Sequence, residues 1–118
     1  MTLAVPDRAT IDAVLCADKP VVNVSIIKPK AGRFDELTTL QLAQHMRLRG
    51  RVEGLRGGRL FSSPANGTLV LVSLFETAAD AGRFSWDPRL RDHLDRVRPL
   101  IERAEAGVYD LAYAVGEI

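Results

Sequence analysis

The stretch Thr68-Leu-Val-Leu-Val-Ser-Leu-Phe75 is apolar at nearly every position. A strand with one face in water alternates apolar and polar residues, whereas a strand buried on both faces reads as a continuous apolar run. The run therefore predicts a central strand over residues 68–75 that is covered on both sides. Thr77-Ala-Ala-Asp80 follows with the spacing of a capping box, so a helix should begin directly after the strand.

A second helix start follows at Asp87-Pro88, because a capping carboxylate precedes a proline whose ring already holds helical φ. The apolar residues beyond it fall at helical spacing: Leu90, Leu94, Val97 and Ile101. We expect Pro99 to kink or restart this helix and Gly107 to end it. The last strand is then predicted over residues 108–115.

The residues before the central strand predict a strand, a helix and a second strand. Residues 21–27 read as a strand with Asn23 and Ser25 on one face and Val22, Val24 and Ile26 on the other. From Arg33 to about Arg49 the period becomes helical, and one side carries Phe34, Leu37, Gln41, Gln44, His45 and Leu48. A glycine-rich link leads to a short strand over residues 59–63, and Asn66-Gly67 marks the turn into the central strand.

The order β-α-β-β-α-β favours an α+β domain of the ferredoxin-like, split βαβ type, with helices on one face of a four-stranded antiparallel sheet. We assign residues 20–118 to this domain and residues 1–19 to an amino-terminal arm. The sheet face away from the helices would be too apolar for water, which predicts a homodimer with two sheets packed face to face. In the alternative, the arm covers this face in a monomer.

Composition and charge exclude several classes of function. The chain has 118 residues, 47% of them apolar, which fits one domain. Sixteen basic residues against fifteen acidic ones, interspersed, predict no nucleic-acid partner. The basic cluster Arg47-Leu-Arg-Gly-Arg51 is either an anion patch or a solvated helix end. A single cysteine, Cys16, and the absence of a long apolar run predict a cytoplasmic protein without membrane contact or metal cluster.

The run Leu74-Phe-Glu-Thr-Ala-Ala-Asp-Ala-Gly-Arg-Phe84, followed by Asp87-Pro88 and His93, resembles the antibiotic biosynthesis monooxygenase family of dimeric α+β barrels. The resemblance covers residues 21–115. It implies a homodimer and, in each subunit, a pocket between the helices and the sheet. The family includes cofactor-independent oxygenases of aromatic polyketides and heme-degrading monooxygenases.

The residues of the chain match each branch of this family in part. The polyketide oxygenases carry a Trp at the end of the third strand and an Asn four residues before it, where this chain has Phe75 and Leu71. In the heme-degrading members the axial ligand is a His at the position of His93, a Trp stands at the position of Phe84, and an Asn lies on the first strand, near Asn23. The resemblance therefore implies no cofactor, or alternatively heme.

Two histidines are the candidate catalytic bases, His45 and His93, because an imidazole titrates near neutral pH. The expected substrate-binding residues are Asn23, Ser25, Phe34, Gln41, Gln44, Phe75, Phe84 and Trp86. Each has a structural alternative: His93 as a half-buried helix residue, the polar stripe with His45 as a solvent-exposed helix edge, the aromatic residues as packing, and Asn23 and Ser25 as a pair across the dimer.

The resemblance implies a small cofactor-independent monooxygenase that acts on an aromatic, polyketide-like molecule, with these residues as its site. The alternatives are a heme-binding or heme-degrading enzyme, and a non-catalytic dimeric binding or accessory protein. No Ser-His-Asp spacing, P-loop, dinucleotide fingerprint or zinc pattern occurs in the sequence, so hydrolase, kinase and NAD chemistry are not predicted.

Overall fold

The computed structural model describes residues 19–113, 115 and 116, so the predicted amino-terminal arm lies outside the described residues except for Lys19. Within this part of the chain there are four strands and three helices. In chain order they are β1 (Val21–Pro29), α1 (Phe34–Leu48), β2 (Leu55–Ser63), β3 (Thr68–Phe75), α2 (Ala78–Ser85), α3 (Pro88–Val97) and, after a single 3-10 turn (Arg98–Leu100), β4 (Ile101–Asp110). The central strand β3 has the predicted bounds.

The four strands form one antiparallel sheet in the order β2-β3-β1-β4. The central pair is β1 with β3, in a register that runs from Val21 opposite Phe75 to Ile27 opposite Leu69. The helices connect β1 to β2 and β3 to β4, and the two strands of each pair are not adjacent in the sheet, as a split βαβ domain requires. The predicted α+β class and ferredoxin-like order are confirmed, and the sheet of one chain is open rather than closed into a barrel.

Two apolar clusters join the helices to opposite ends of the sheet. The larger cluster consists of Ile27, Leu37, Leu69, Val97 and Leu100, and the smaller one of Val21, Phe75 and Ala81. Between them, on the same side of the sheet because alternate residues share a face, lie the facing pairs Asn23 with Ser73 and Ser25 with Leu71. These four residues are only half-buried, so the helices cover the ends of the sheet more fully than its middle.

Both predicted helix starts are confirmed by their hydrogen bonds. The Thr77 hydroxyl accepts from the backbone N–H of Asp80 at 3.2 Å, and the Asp87 carboxylate accepts from the backbone N–H of Arg89 at 2.8 Å. Pro88 then occupies the first turn of α3, where its missing N–H costs nothing. Local sequence signals therefore place the break between α2 and α3.

The predicted bounds of the last strand, residues 108–115, were wrong. β4 begins at Ile101, so Gly107 lies within the strand, and residues 111–113 and 115 belong to no strand. The physical reason is that α3 ends at Val97, before Pro99, and the chain then pairs with β1 along its whole length. Backbone pairing over that distance outweighs the helical spacing that Ile101 shares with the residues before it.

The second strand is longer than predicted. β2 begins at Leu55 rather than at Arg59, and Gly57 and Gly58 pair with Leu74 and Ser73 of β3. The register shifts between Leu55 and Gly57, as in a β-bulge. The glycines that suggested a loop are thus accommodated in a strand at its irregular end. Of the described helices, none is both long enough and apolar enough to span a bilayer.

The loop before β2 depends on a glycine at position 54. Gly54 has a φ of +78°, and a Cβ there would overlap the Asp80 carboxylate group. Its carbonyl also accepts from the backbone N–H of Glu76 at 2.8 Å, which fixes the loop to the end of β3. Gly67 has a similar φ of +60° but no atom within 4 Å of its would-be Cβ.

We expect Gly54→Ala to lower the free energy of unfolding more than Gly67→Ala does. Both variants place an alanine at positive φ, so the difference between them, about 1–3 kcal/mol, reports the overlap with Asp80. Urea denaturation followed by circular dichroism measures both values. Equal losses would show that the loop moves to accommodate the methyl group, contrary to the packing described.

Candidate functional site

The candidate site begins where α1 and α3 face each other one helical turn from the larger apolar cluster. Gln41 follows Leu37 by four residues on α1, and His93 precedes Val97 by four on α3. Four residues of helix span about 6 Å along the helix axis. This length is close to the distance of about 6.6 Å that two strand residues span between Ile27 and Ser25. From this spacing we infer that the Gln41–His93 pair lies near the level of the half-covered middle of the sheet.

Gln41 and His93 are buried polar residues joined by a short hydrogen bond. Their side chains are 5% and 4% exposed, and the Gln41 Oε1 and His93 Nε2 atoms are 2.8 Å apart. The other end of the same amide, Gln41 Nε2, is 3.3 Å from His45 Nε2. One carboxamide thus bridges the two candidate bases.

The bridge sets the tautomers of both histidines. A carbonyl oxygen only accepts, so His93 carries its proton on Nε2, and the Gln41 amide N–H donates to an unprotonated Nε2 of His45. His45 is therefore protonated on Nδ1. In the described chain the Nδ1 atom of His93 has no hydrogen-bond partner, which leaves its lone pair available.

Burial lowers the pKa of both imidazoles, because a charged ring loses its hydration in the interior. The pKa of His93 falls to about 4, first through burial and then through the positive charges of Arg47, His45 and Arg96. Burial also lowers the pKa of His45 below its usual value. Both histidines are therefore neutral at pH 7 and can accept a proton.

A second glutamine joins the same two helices. Gln44 donates from Nε2 to the backbone carbonyl of Arg89 at 3.3 Å, and its Oε1 accepts from Arg47 at 2.7 Å. The two amides satisfy buried polar groups that would otherwise cost about 1–3 kcal/mol each. The polar stripe predicted on α1 therefore faces α3 and is hydrogen-bonded there.

The helix α3 presents a different face to the interior than its apolar spacing suggested. His93 and Val97 are buried, whereas Leu94, which the sequence placed in the inward stripe, is 37% exposed. The hydrogen bond to Gln41 requires His93 to face α1, and this turns Leu94 toward solvent. His93 is thus a member of the inward face rather than a residue at its edge.

The sheet contributes small polar groups at the same level. Asn23 and Ser25 share one face of β1, as predicted, and that face is the one toward the helices; Ser73 of β3 is the direct partner of Asn23. Ser73 was not among the predicted site residues, because its place opposite Asn23 depends on the pairing of the two strands. No hydrogen bond joins Asn23, Ser25 or Ser73 to the histidines in the described chain.

The aromatic residues of the predicted site are distributed over three places. Phe34 packs against the larger apolar cluster, and Phe75 is fully buried in the smaller one. The ring centroids of Phe75 and Phe84 are 5.8 Å apart with an interplanar angle of 38°. Trp86 is 76% exposed and stacks with the guanidinium of Arg91, 4.5 Å from its ring, so the structure does not bring it to the histidines.

A groove of about 330 Å³ lies beside His93, between the end of α1 and the α3 residues 89–96. Its lining includes Arg47, Arg51, Arg89, Asp92, His93 and Arg96. The basic cluster at Arg47 and Arg51 was noted in the sequence, whereas the contribution of Arg89 and Arg96 depends on the packing of the helices and was missed.

The residues around His93 do not fit a heme group. An axial ligand needs a free imidazole nitrogen facing a porphyrin-sized apolar space. The Nε2 atom of His93 is held by Gln41, and the groove beside the ring, with about 330 Å³ and four arginines among its eight lining residues, is neither porphyrin-sized nor apolar. Over the described residues there is also no group of three or more His, Cys, Asp or Glu side chains placed to hold a metal ion.

No protein-family model and no curated protein matches this sequence. Solved structures do match the fold. A single-residue variant of SnoaB, a cofactor-independent oxygenase from Streptomyces nogalater, is 18% identical with a TM-score of 0.73 over 86% of this chain and 100% of that one.

Two further matches are antibiotic biosynthesis monooxygenase candidates. The one from Caulobacter crescentus is 10% identical with a TM-score of 0.74 over 88% of this chain and 99% of that one. The one from Nitrosomonas europaea is 17% identical with a TM-score of 0.72 over 84% of this chain and 96% of that one. The chain therefore has the fold of the antibiotic biosynthesis monooxygenase structures, and identities this low establish no more than the fold.

The lowered pKa of His93 makes folding sensitive to acid. An unfolded histidine has a pKa of 6.5, so between pH 6.5 and about 4 the unfolded chain binds more protons than the folded one. The stabilisation is complete above pH 6.5 and is lost as the pH falls toward 4. We expect His93→Gln, which cannot ionise, to reduce the acid-induced loss of unfolding free energy by about 2–3 kcal/mol.

Urea denaturation of wild type and variant at neutral pH and near pH 4.5 measures this difference. Met46→Gln, a change at an exposed position of α1, serves as the control and should keep the pH dependence of the wild type. An unchanged pH dependence in His93→Gln would show that folding does not lower the pKa of His93.

Proposed function

We propose that this chain, which has the fold of the antibiotic biosynthesis monooxygenase structures, is a cofactor-independent monooxygenase of an aromatic, polyketide-like substrate. The observation that supports this most directly is the His45–Gln41–His93 bridge. It holds two neutral imidazoles between the apolar clusters, at the level where we place the least covered part of the sheet. The likeness to an oxygenase that needs no cofactor supports the reaction class.

The proposed reaction oxidises an activated CH₂ group, as in an anthrone, to a carbonyl. The base removes one proton, and the resulting carbanion is delocalised into the aromatic rings. It forms a C–O bond to O₂, and the distal oxygen takes up the proton to give a hydroperoxide. Loss of the second hydrogen as a proton and cleavage of the O–O bond release water, so one oxygen atom enters the product and the other is reduced to water.

His93 is the proposed base, because its Nδ1 lone pair has no partner in the described chain while Nε2–H is held by Gln41. Gln41 keeps this tautomer, and His45 holds the other end of the amide. Asn23 and Ser25 on the sheet, opposite the histidines, would donate hydrogen bonds to the oxyanion that develops on the substrate. The apolar clusters with Phe34 and with Phe75 and Phe84 would enclose its rings.

We also propose that the active form is a homodimer that buries the sheet face away from the helices. Alternation places Val22, Val24 and Ile26 of β1 on that face beside Val70, Val72 and Leu74 of β3. Two large side chains of this face are exposed in the single chain, Ile26 and Phe61. Phe61 lies on β2 opposite Val70. A second copy would remove this continuous apolar surface from water.

The enzymatic proposal is tested by oxygen consumption with anthrone as the substrate. We expect metal-free protein to consume oxygen and form anthraquinone, and His93→Gln to slow turnover by about a hundredfold or more, since it keeps a polar side chain without a basic nitrogen. Met46→Gln, outside the site, should retain the wild-type rate. Equal rates in wild type and His93→Gln would contradict the role of His93 as base.

The dimer is tested by sedimentation equilibrium at micromolar concentration. We expect a particle of twice the 13.0 kDa chain mass, and Val72→Asp, which places a charge at the centre of the apolar face, should give the single-chain mass. Ala79→Asp, on the exposed surface of α2, should remain dimeric. A single-chain mass for the wild type would overturn the proposal.

A further inference from the structure

The groove beside His93 is strongly positive, whereas basic and acidic residues nearly balance over the whole chain. Four of the sixteen basic residues line it, against one carboxylate, Asp92, although the chain as a whole carries a net charge of +1. We propose that this groove is a binding site for the oxyanion of a small organic molecule, a carboxylate or a phosphate. The proposal goes beyond the oxygenase activity and does not depend on it.

The arginines come from different elements and converge on one space. Arg47 lies on the last turn of α1, Arg51 in the link that follows, and Arg96 on α3. Basic residues at the end of a helix commonly balance its dipole, which could explain Arg47 and Arg51. The same explanation applies to Arg96 in the last turn of α3, but helix dipoles do not require side chains from two helices and a link to line one groove.

Three of the four guanidinium groups keep their charge available. Arg89 is committed, since it forms an ion pair of 2.7 Å with Asp87 and donates to the backbone carbonyl of Arg51 at 3.1 Å. Arg47 donates to the neutral amide oxygen of Gln44, which leaves its charge uncompensated. In the described part of the chain neither Arg51 nor Arg96 has an ion-pair partner.

Arg89 therefore stabilises the walls of the groove, whereas Arg47, Arg51 and Arg96 are available to bind an anion. Its bond to the Arg51 carbonyl ties the link after α1 to the first turn of α3 and so holds the two walls together. An oxyanion between Arg47, Arg51 and Arg96 would receive charge-assisted hydrogen bonds, which planar guanidinium groups form with carboxylates and phosphates in paired geometry. The volume of about 330 Å³ is near the lower limit of the roughly 300–1,000 Å³ typical of small-molecule sites.

The groove is coupled electrostatically to His93, which forms part of its lining. Arg47 and Arg96 both lower the pKa of His93, and the other charged or titratable groups around it are His45 on α1, Arg51 in the link, and Arg89 and Asp92 on α3. An anion held by these arginines offsets their positive charge, so the pKa of His93 rises when it binds. By linkage, protonation of His93 strengthens anion binding.

The test is a calorimetric titration of the full chain with phthalate, an aromatic dicarboxylate, in a phosphate-free buffer. We expect one phthalate per chain, with an affinity that falls as salt is added. The neutral diamide of phthalate should not bind. Inorganic phosphate is the second probe, and its competition with phthalate shows whether a free phosphate or an organic carboxylate is preferred.

The double variant R51Q/R96Q should weaken phthalate binding by about tenfold or more, because it removes the two guanidinium groups that have no ion pair. Arg56→Gln removes an exposed positive charge on β2 outside the groove and should change the affinity by less than about twofold. The proposal would be overturned if R51Q/R96Q and Arg56→Gln lost the same affinity for phthalate. It would also be overturned if the wild type bound neither phthalate nor phosphate.

A second readout follows the His93 imidazole by NMR. Saturating phthalate should raise its pKa by about one unit in the wild type and by much less in R51Q/R96Q. Binding with an unchanged pKa of His93 would place the anion outside this groove. Both readouts are made without turnover, so an inactive enzyme that binds phthalate would contradict the oxygenase proposal and leave this one standing.

Discussion

A buried carboxamide between two imidazoles constrains this molecule more than any other polar contact. Gln41 is enclosed by α1 and α3, so each end of its amide must find a partner inside the protein or cost about 1–3 kcal/mol. His93 and His45 are those partners. The requirement fixes how α3 is turned about its own axis, and with it the neutral state of His93 and the arrangement of the arginines.

His93 belongs to two surroundings at once. On one side it meets Gln41 at the level of the half-covered sheet, and on the other it lines the arginine groove. Burial lowers the pKa of His93 most, and Arg47 and Arg96 of the groove lower it further, so the charge in the groove modulates how strong a base His93 is. An occupied groove would make the histidine a better proton acceptor, which links the two proposals physically although each is tested separately.

Much of the fold could be predicted from local signals in the sequence. The apolar run of β3, the Thr77 cap and the Asp87-Pro88 start lie within a few residues of the structure that they specify, so no distant contact was needed to read them. The start of β4 could not be read in this way. Ile101 continues the helical spacing of α3, and only its pairing with Pro29 of β1 shows that it is in a strand.

The candidate site was predictable to the same extent. The stripe with Gln41, Gln44 and His45 follows from helical spacing alone, and the structure places it inward or half-buried. That Gln41 meets His93, 52 residues away, depends on how two helices pack. The convergence of Arg51 and Arg96 has the same origin. Trp86 carried a strong aromatic signal, but the exposed turn between α2 and α3 directs it away from the histidines.

Long-range ¹H–¹⁵N NMR of the histidine rings at neutral pH decides whether Gln41 bridges them, because it identifies which nitrogen of each imidazole carries the proton. The bridge requires two neutral rings of opposite tautomer, with His93 protonated on Nε2 and His45 on Nδ1. A charged ring, or a proton on Nδ1 of His93, would contradict it.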